Sequence, residues 1–188
     1  MAGRDLFSIS EEIRRCTLCP LWKGRTLAVP GDGPTGAKIM LIGEAPGANE
    51  DREGMPFIGR SGVYLKASLL KVGIDPGAVF ITSAVKCHPA KNRTPTLVEC
   101  GMCRDTYLLS QISLINPLLI ILVGGVSVRT LLGTGEMKEM HGKTIVRDGR
   151  TYFVLHHPSA AMRFPAIRAM FEKDLVELGK VAAKVLKK

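Results

Sequence analysis

The sequence predicts an α/β protein: a three-layer sandwich with a central, mostly parallel four-stranded sheet flanked by helices, in one domain over residues 1–188. Three observations carry that expectation. Apolar runs of strand length, at Ile39 to Ile42, Val79 to Thr82 and Leu118 to Val123, alternate with stretches whose apolar residues recur at helical spacing. The run Leu118 to Val123 is apolar throughout, as strands covered on both faces are. A length of 188 residues fits one domain with a substantial core, and no internal repeat marks a second.

Taken in order, the first helix is expected to start at Ser8 or Ser10, with Ser10 as its cap before Glu11 to Arg15, and to run into Cys16-Thr17-Leu18-Cys19-Pro20. Leu27 to Pro34 is a glycine- and proline-rich connection, and Lys38 to Gly43 is the first strand. The stretch from Gly43 to Gly62 then reads as a long loop leaving a strand's carboxyl end, the edge where open α/β sheets bind ligands. Its glycines allow close backbone approach, Pro46 and Pro56 stiffen it, and Glu44, Glu50 and Asp51 crowd beside Phe57. By composition alone an acidic surface loop is the better reading, and other stretches of the chain are what favour a site.

A helix from about Gly62 to Val72 carries Leu65, Leu69 and Val72 on one face and ends at Gly73. The second strand, Val79 to Thr82, opens into Lys86 to Pro95. The spacing of Thr96 and Glu99 is a capping box for a helix that runs to about Ile115 and stops before Pro117. After the strand Leu118 to Val123, Gly124-Gly125 leads into a short helix, Val126 to Leu132. Lys143 to Arg147 and Thr151 to His156 flank Asp148-Gly149, a hairpin signal. The last helix, about Phe164 to Leu186, has an apolar stripe at Phe171, Leu175, Leu178 and Val185.

No apolar run reaches the roughly 18 residues needed to span a bilayer, so a membrane protein is not expected. Met1 to Ser10 has an acidic residue, Asp5, and no apolar core, unlike a signal peptide, and the expected location is the cytoplasm. The net charge of +9, from 26 Lys and Arg against 17 Asp and Glu, makes a polyanion a candidate partner. Part of that excess is the tail, where Lys180, Lys184, Lys187 and Lys188 are expected on the solvated side of a helix, away from any site.

Five cysteines in a reducing compartment are poor disulfide candidates. Cys16 and Cys19 form one Cys-x-x-Cys, Cys100 and Cys103 another inside a helix, and Cys87 follows a strand. Four thiolates suit either zinc or an iron–sulfur cluster, and five candidates for four places leave one spare; spacing does not decide which metal or which thiol. A redox pair lacks the expected thioredoxin-like context. At the other end, His156-His157-Pro158-Ser159 follows the last strand and should emerge on the same sheet edge as Glu44 if that strand is parallel to the first. A histidine there can donate to a developing anion or move a proton, or be only a polar strand end.

Together these pieces resemble the family 4 uracil-DNA glycosylases, the iron–sulfur members of the uracil glycosylase superfamily. The resemblance covers nearly the whole chain. It rests on the early Cys-x-x-Cys, on Gly43-Glu44-Ala45-Pro46-Gly47 with Glu50-Asp51 and Gly54 to Gly62, on Val85-Lys86-Cys87 with Asn92 to Pro95, and on His157-Pro158.

The resemblance implies a structural [4Fe–4S] cluster held by Cys16, Cys19, Cys87 and Cys103, with Cys100 spare. It also implies hydrolysis of the N-glycosidic bond of uracil after the nucleotide is flipped out of the stack. Phe57 resembles the aromatic that stacks on the base, and the backbone of Gly43, Glu44 and Ala45 the wall that contacts it. His157 resembles the donor to uracil O2. Other branches place a water-orienting Asp where this chain has Ala45, so that task falls to Glu44, Glu50 or backbone groups. Phosphate contacts are expected from Arg60, Ser61, Lys86, Asn92, Arg93, Ser159 and Arg163, with Met162 or its neighbours as the wedge.

The chain departs from the family at Ser83, where members usually carry an Asn whose amide reads the uracil edge. A hydroxyl cannot make that paired contact, which leaves strict uracil preference open and extends the candidates to other deaminated bases such as hypoxanthine. A related branch that traps uracil covalently carries an Arg-Arg-Ile-His insert after the second strand; Ala90 to Pro95 lacks it. No lysine is placed for Schiff-base strand cleavage, so a monofunctional enzyme is expected. The alternatives are a non-catalytic or weakly catalytic protein of the same fold that binds damaged or single-stranded DNA, and a redox or zinc protein with no DNA role. A monomer is expected, and a sliding clamp is a candidate partner.

Overall fold

The computed structural model describes residues 4–133 and 136–187; Lys188 of the basic tail and residues 1–3 lie outside the described residues. Alternating apolar runs build a sheet of β1 (Ile39–Gly43), β2 (Val79–Ser83), β3 (Leu119–Val123), β4 (Thr144–Arg147) and β5 (Arg150–Leu155), in the order β2-β1-β3-β5-β4. All neighbours pair in parallel except β4, which lies antiparallel on β5. The expected four strands are therefore five among the described residues, because both arms of the Asp148-Gly149 hairpin join the sheet. Asp148 and Gly149 both take the positive φ that such a turn requires, at 50° and 74°.

Strand β1 is followed by a crossover to β2 on one side, and β3 lies on the other side of β1, so the chain reverses direction across the sheet at the β1–β3 seam. Ligand crevices in open α/β sheets form at the carboxyl ends of strands beside such a switch. Side chains of the central strands are buried on both faces. Leu41, Ile121 and Phe153 pack on α3 (Arg60–Lys71) and α9 (Pro165–Leu186), while Met40, Leu122 and Val154 pack on α5 (Leu109–Ile115) and α6 (Gly125–Leu132). The outer edge of β2 is covered by the residue 27–34 connection, where Asp32 and Ile81 exchange backbone hydrogen bonds of 2.9 and 2.7 Å.

Several boundaries differ from the sequence reading, each for a local reason. Helix α1 is Leu6–Arg15, and its cap is Asp5 rather than Ser10. Asp5 Oδ1 accepts from the Ser8 N–H at 2.8 Å and Ser8 Oγ accepts from the Asp5 N–H at 3.0 Å, a reciprocal box that Ser10, bonded back to the Leu6 carbonyl, does not offer. The long loop contains a short helix, α2 (Ala48–Glu53), and α3 begins at Arg60, two residues before Gly62.

The helix expected from Thr96 has its Thr96–Glu99 capping box, but it is α4 (Leu97–Cys103), a π turn over Arg104–Leu108, and then α5. The wide turn falls directly after Cys103. Beyond α7 (Met137–Met140) and the hairpin, a further short helix, α8 (Pro158–Arg163), lies between β5 and α9, which starts at Pro165. No helix among the described residues is long and apolar enough to cross a membrane.

Candidate active site

Two glycines set the site's floor. A Cβ on Gly43 would lie 2.5 Å from Phe57 Cζ, and one on Gly62 would lie 2.1 Å from the Phe57 carbonyl oxygen. Only glycine therefore lets the end of β1 slide under the ring and α3 pack against the Phe57 backbone. Phe57 itself sits at φ 51°, the left-handed region that a bulky residue enters only when its surroundings hold it there.

What holds it is Glu50. This buried carboxylate accepts backbone N–H groups of Gly47 at 3.1 Å, Ile58 at 2.9 Å and Gly59 at 2.8 Å. Asp51, also buried, accepts from the Thr26 N–H, while its own carbonyl takes the Leu27 N–H. Both acids are occupied with shaping the loop, so Glu50 is not free to activate water as one sequence reading allowed.

Above this floor lies a cavity of about 500 Å³ at the carboxyl edge of the sheet. Of the residues singled out in the sequence, Glu44, Ala45, Glu50, Phe57, Ser61, Ser83, Asn92, Arg93, His157, Ser159 and Arg163 line it. Gly43 lies beneath Phe57, and Arg60 and Met162 line an adjoining groove shared with Ser61, Asn92, Ser159 and Arg163. The walls thus come from the loop after β1, the end of β2, the segment after it, and the start of α8. Val29 and Pro89 also line the cavity; neither carries chemistry that a sequence reading could have marked.

Burial tunes Glu44 and His157, both facing this space, in different directions. Burial raises the Glu44 carboxyl above its ordinary range, against a smaller opposing pull from the charge of Arg129 on α6. That pairing across some 85 residues of sequence had no signal in the chain. His157 is pushed down to about 4 by burial, so its ring is neutral near pH 7. Its Nδ1 faces the backbone N–H of Ser159 at 3.3 Å and the Ser159 hydroxyl at 2.6 Å. An N–H donor at Nδ1 makes that atom the acceptor and places the ring proton on Nε2. His157 is thereby both the cap of α8 and a fixed neutral donor.

Two expected DNA contacts are placed differently. Lys86 is 2% exposed, its ammonium turned inward to Thr82 Oγ1 and the Ser83 carbonyl, and burial lowers its pKa to about 8. Lying behind the β2 strand end, it cannot reach a phosphate in this position. It braces the segment leading to Cys87. Arg93 reaches the cavity, but its guanidinium is held bidentately by Glu99 at 2.9 and 2.7 Å. The same pair holds the Glu99 carboxyl down at about 2. Arg93 thus shapes the wall with its charge balanced, while Arg60 and Arg163 remain the cations of the groove. Asn92 is positioned by His88, whose Nε2 lies 3.0 Å from its Oδ1.

The cysteines form a second constellation. Cys16, Cys19, Cys87 and Cys103 line one small apolar cavity with Ile13, Leu21 and Val85, and Cys100 does not line it. Burial pushes the Cys19 and Cys87 thiols up and that of Cys103 to about 12. Arg25 Nη1 stands 3.1 Å from Cys87 Sγ, a donor that favours a thiolate there. Four soft donors lining one small apolar cavity, with a guanidinium beside one of them, fit a polynuclear thiolate-held group.

The family model for the uracil DNA glycosylase superfamily matches residues 30–179. The chain is 40% identical over 183 residues to the type-4 uracil-DNA glycosylase of Pyrobaculum aerophilum, with 91% of each chain covered. It is 42% identical over 180 residues to that of Saccharolobus solfataricus, covering 90% of this chain and 83% of the relative. Against a type-5 uracil-DNA glycosylase of Pyrobaculum aerophilum the identity is 30% over 168 residues, covering 77% of this chain and 74% of the relative.

Proposed function

Since this chain belongs to the uracil DNA glycosylase superfamily and sides with its type-4 members, we propose that it is a monofunctional DNA repair glycosylase that hydrolyses the N-glycosidic bond of uracil in DNA. The observation that carries this reading is the neutral, Nε2-protonated His157 facing Glu44 and Phe57 across one cavity.

A base held inside a duplex is out of reach of these groups, so the nucleotide must be flipped into the cavity. There the ring stacks on Phe57 and meets Ser83 and the backbone of Gly43 to Ala45. Glu44, ionised, accepts a hydrogen bond from a water and turns its oxygen toward C1′. As the water oxygen bonds to C1′, the bond to the base breaks and its electron pair stays on the leaving uracil. His157 Nε2–H donates to O2 as that negative charge develops, a donor that costs no reorganisation because α8 already holds it. The water's proton passes to Glu44, whose raised basicity suits it to receive one.

Arg60, Ser61, Asn92, Ser159 and Arg163 line the groove where phosphates would lie, and Met162 is placed to enter the gap left by the base. Among the described residues no lysine lines the cavity, and Lys86, three residues beyond Ser83, is turned inward; this supports hydrolysis without Schiff-base strand cleavage. Cys16, Cys19, Cys87 and Cys103 would hold a [4Fe–4S] cluster, which when bound supplies a cross-link between the end of α1, the segment after β2 and the end of α4 rather than redox chemistry.

Ser83 in place of an amide favours broader base acceptance, including deaminated purines such as hypoxanthine. Base release from matched oligonucleotides containing uracil, hypoxanthine or xanthine, single- and double-stranded, followed by alkaline cleavage of abasic sites, tests both points. Uracil release is the expected result; no release of any base by cluster-loaded protein would overturn the reading. That outcome would favour a damaged-DNA binder without turnover, which Ala45 supports because the cavity then has one free carboxylate, Glu44, near its floor.

A further inference from the structure

His156 is adjacent in sequence to the base-facing His157, but its ring belongs to a different cluster, away from the base cavity and from the cysteines. His141 follows α7, His156 follows β5, and Asp174 lies on α9. One ligand atom from each lies within 4.8 Å of the other two. The His141 Nδ1 stands 2.8 Å from Asp174 Oδ2, and the two imidazoles lie tilted by 32° with centroids 4.5 Å apart.

Two further observations separate this cluster from an ordinary Asp–His hydrogen bond. Nε2 of His156 is buried and has no hydrogen-bond partner among the described residues. A buried ring nitrogen in that condition is costly unless another group satisfies it. Asp174, 5% exposed, is a buried carboxylate, and Gly142 is shaped around it: with φ at 72°, its missing Cβ would lie 2.6 Å from Asp174 Oδ1. The backbone gives way so that the carboxylate can reach the histidines.

We propose that His141, His156 and Asp174 form a binding site for a divalent transition metal of the zinc type, with water completing its coordination. Two imidazoles and a carboxylate are the borderline donor set that zinc takes, at about 2.0–2.2 Å from each atom. Atoms already within 4.8 Å of one another reach a common ion by side-chain shifts of under about 1 Å. The ion gives His156 Nε2 its missing partner and neutralises Asp174. It also ties α9 and the start of the hairpin to the strand end that carries His157, so its effect on the protein is to fix that end of β5. The site takes a metal ion, not a nucleotide, and stands whether or not the glycosylase reading holds.

The test uses cluster-loaded protein freed of adventitious ions and titrated with Zn²⁺ by calorimetry, with iron and zinc counted by elemental analysis. One zinc per chain is expected in addition to an unchanged iron content, with an unfolding midpoint that rises with zinc. The near-isosteric His156→Gln and Asp174→Asn should keep the iron and lose zinc affinity by about tenfold or more, at least the loss that outer-shell substitutions already give. Cadmium NMR of the unsubstituted protein provides a readout independent of how the variants fold, and a signal in the nitrogen and oxygen range is expected. Absence of zinc binding at micromolar free ion, a cadmium signal in the thiolate range, or equal zinc affinity in folded variants would overturn the proposal.

Discussion

Glu44 and His157 sit at the same cavity and bear opposite consequences of the same burial: the acid is raised and the base lowered, and each is left closer to neutral. For Glu44 the linkage sign is definite. A folded pKa above the ordinary 4.5 means that the unfolded chain loses this proton first as pH rises. The favourable contribution is therefore complete below that value and is lost as pH rises through the folded pKa. Glu44→Gln should accordingly raise the melting temperature at neutral pH while lowering kcat by roughly 10²- to 10⁴-fold, the span of a positioned base. In the unsubstituted protein the acid limb of kcat should lie above the ordinary carboxylate range, and the substitution should remove it. His157→Ala should cost on the order of 10²- to 10³-fold in kcat with little change in DNA affinity, because its hydrogen bond matters only as charge develops. A parallel loss of affinity would argue against that role. At Ser83, substitution by Asn should sharpen uracil over hypoxanthine, read as the ratio of their kcat/KM values.

At the scale of elements, the decisive unit is the β1–α3 connection, whose conformation is set by one carboxylate and two glycines. Glu50→Gln keeps one acceptor oxygen but turns the other arm of the clamp into a donor, facing either the Gly47 N–H or those of Ile58 and Gly59. The expected cost is about 1–3 kcal/mol of stability for the group left unpaired, measured by denaturant unfolding. Gly62→Ala should cost at least about 1–3 kcal/mol as an overpacking change, because the atom its Cβ meets is Phe57 backbone and no rotamer change moves it away. Both substitutions should also disturb Phe57, and so raise KM for base release. An unchanged KM in a destabilised variant would separate the loop's stability from its part in holding the base.

At the scale of the molecule, charge and cofactor can be tested together. The +9 excess is spread over the chain, but only the groove beside the cavity places cations, Arg60 and Arg163, near the proposed phosphate path. Arg163→Ala should reduce the slope of log affinity against log salt by about 0.9 for each phosphate that the guanidinium neutralises. Lys86→Met should leave that slope unchanged, since its ammonium is internal; a reduced slope would show that the β2 end rearranges on DNA. Removing iron from the cluster-loaded protein should lower the melting temperature and loosen α1 and the residue 97–103 helix first, because Cys16, Cys19 and Cys103 anchor them around one small cavity. Hydrogen exchange confined to those segments is the expected pattern.

The alternation of strands and helices was legible along the chain, because burial on both faces of a parallel sheet demands unbroken apolar runs such as Leu119–Val123. The strand-end and loop positions of Gly43, Phe57, Ser83 and His157 were legible in the chain as well, and these residues meet at one edge of the sheet. Which charges are free to act emerges only from the packed fold. Glu50 and Glu44 read alike in sequence, as do Lys86 and Arg60, yet one of each pair is bound to buried backbone or side-chain groups and the other faces a cavity or groove. The pairing of Arg93 with Glu99, the influence of Arg129 on Glu44 and the meeting of His141, His156 and Asp174 were settled there too. Each depends on distances between elements, and periodicity along a chain carries no information about those distances; they are set when the layers pack.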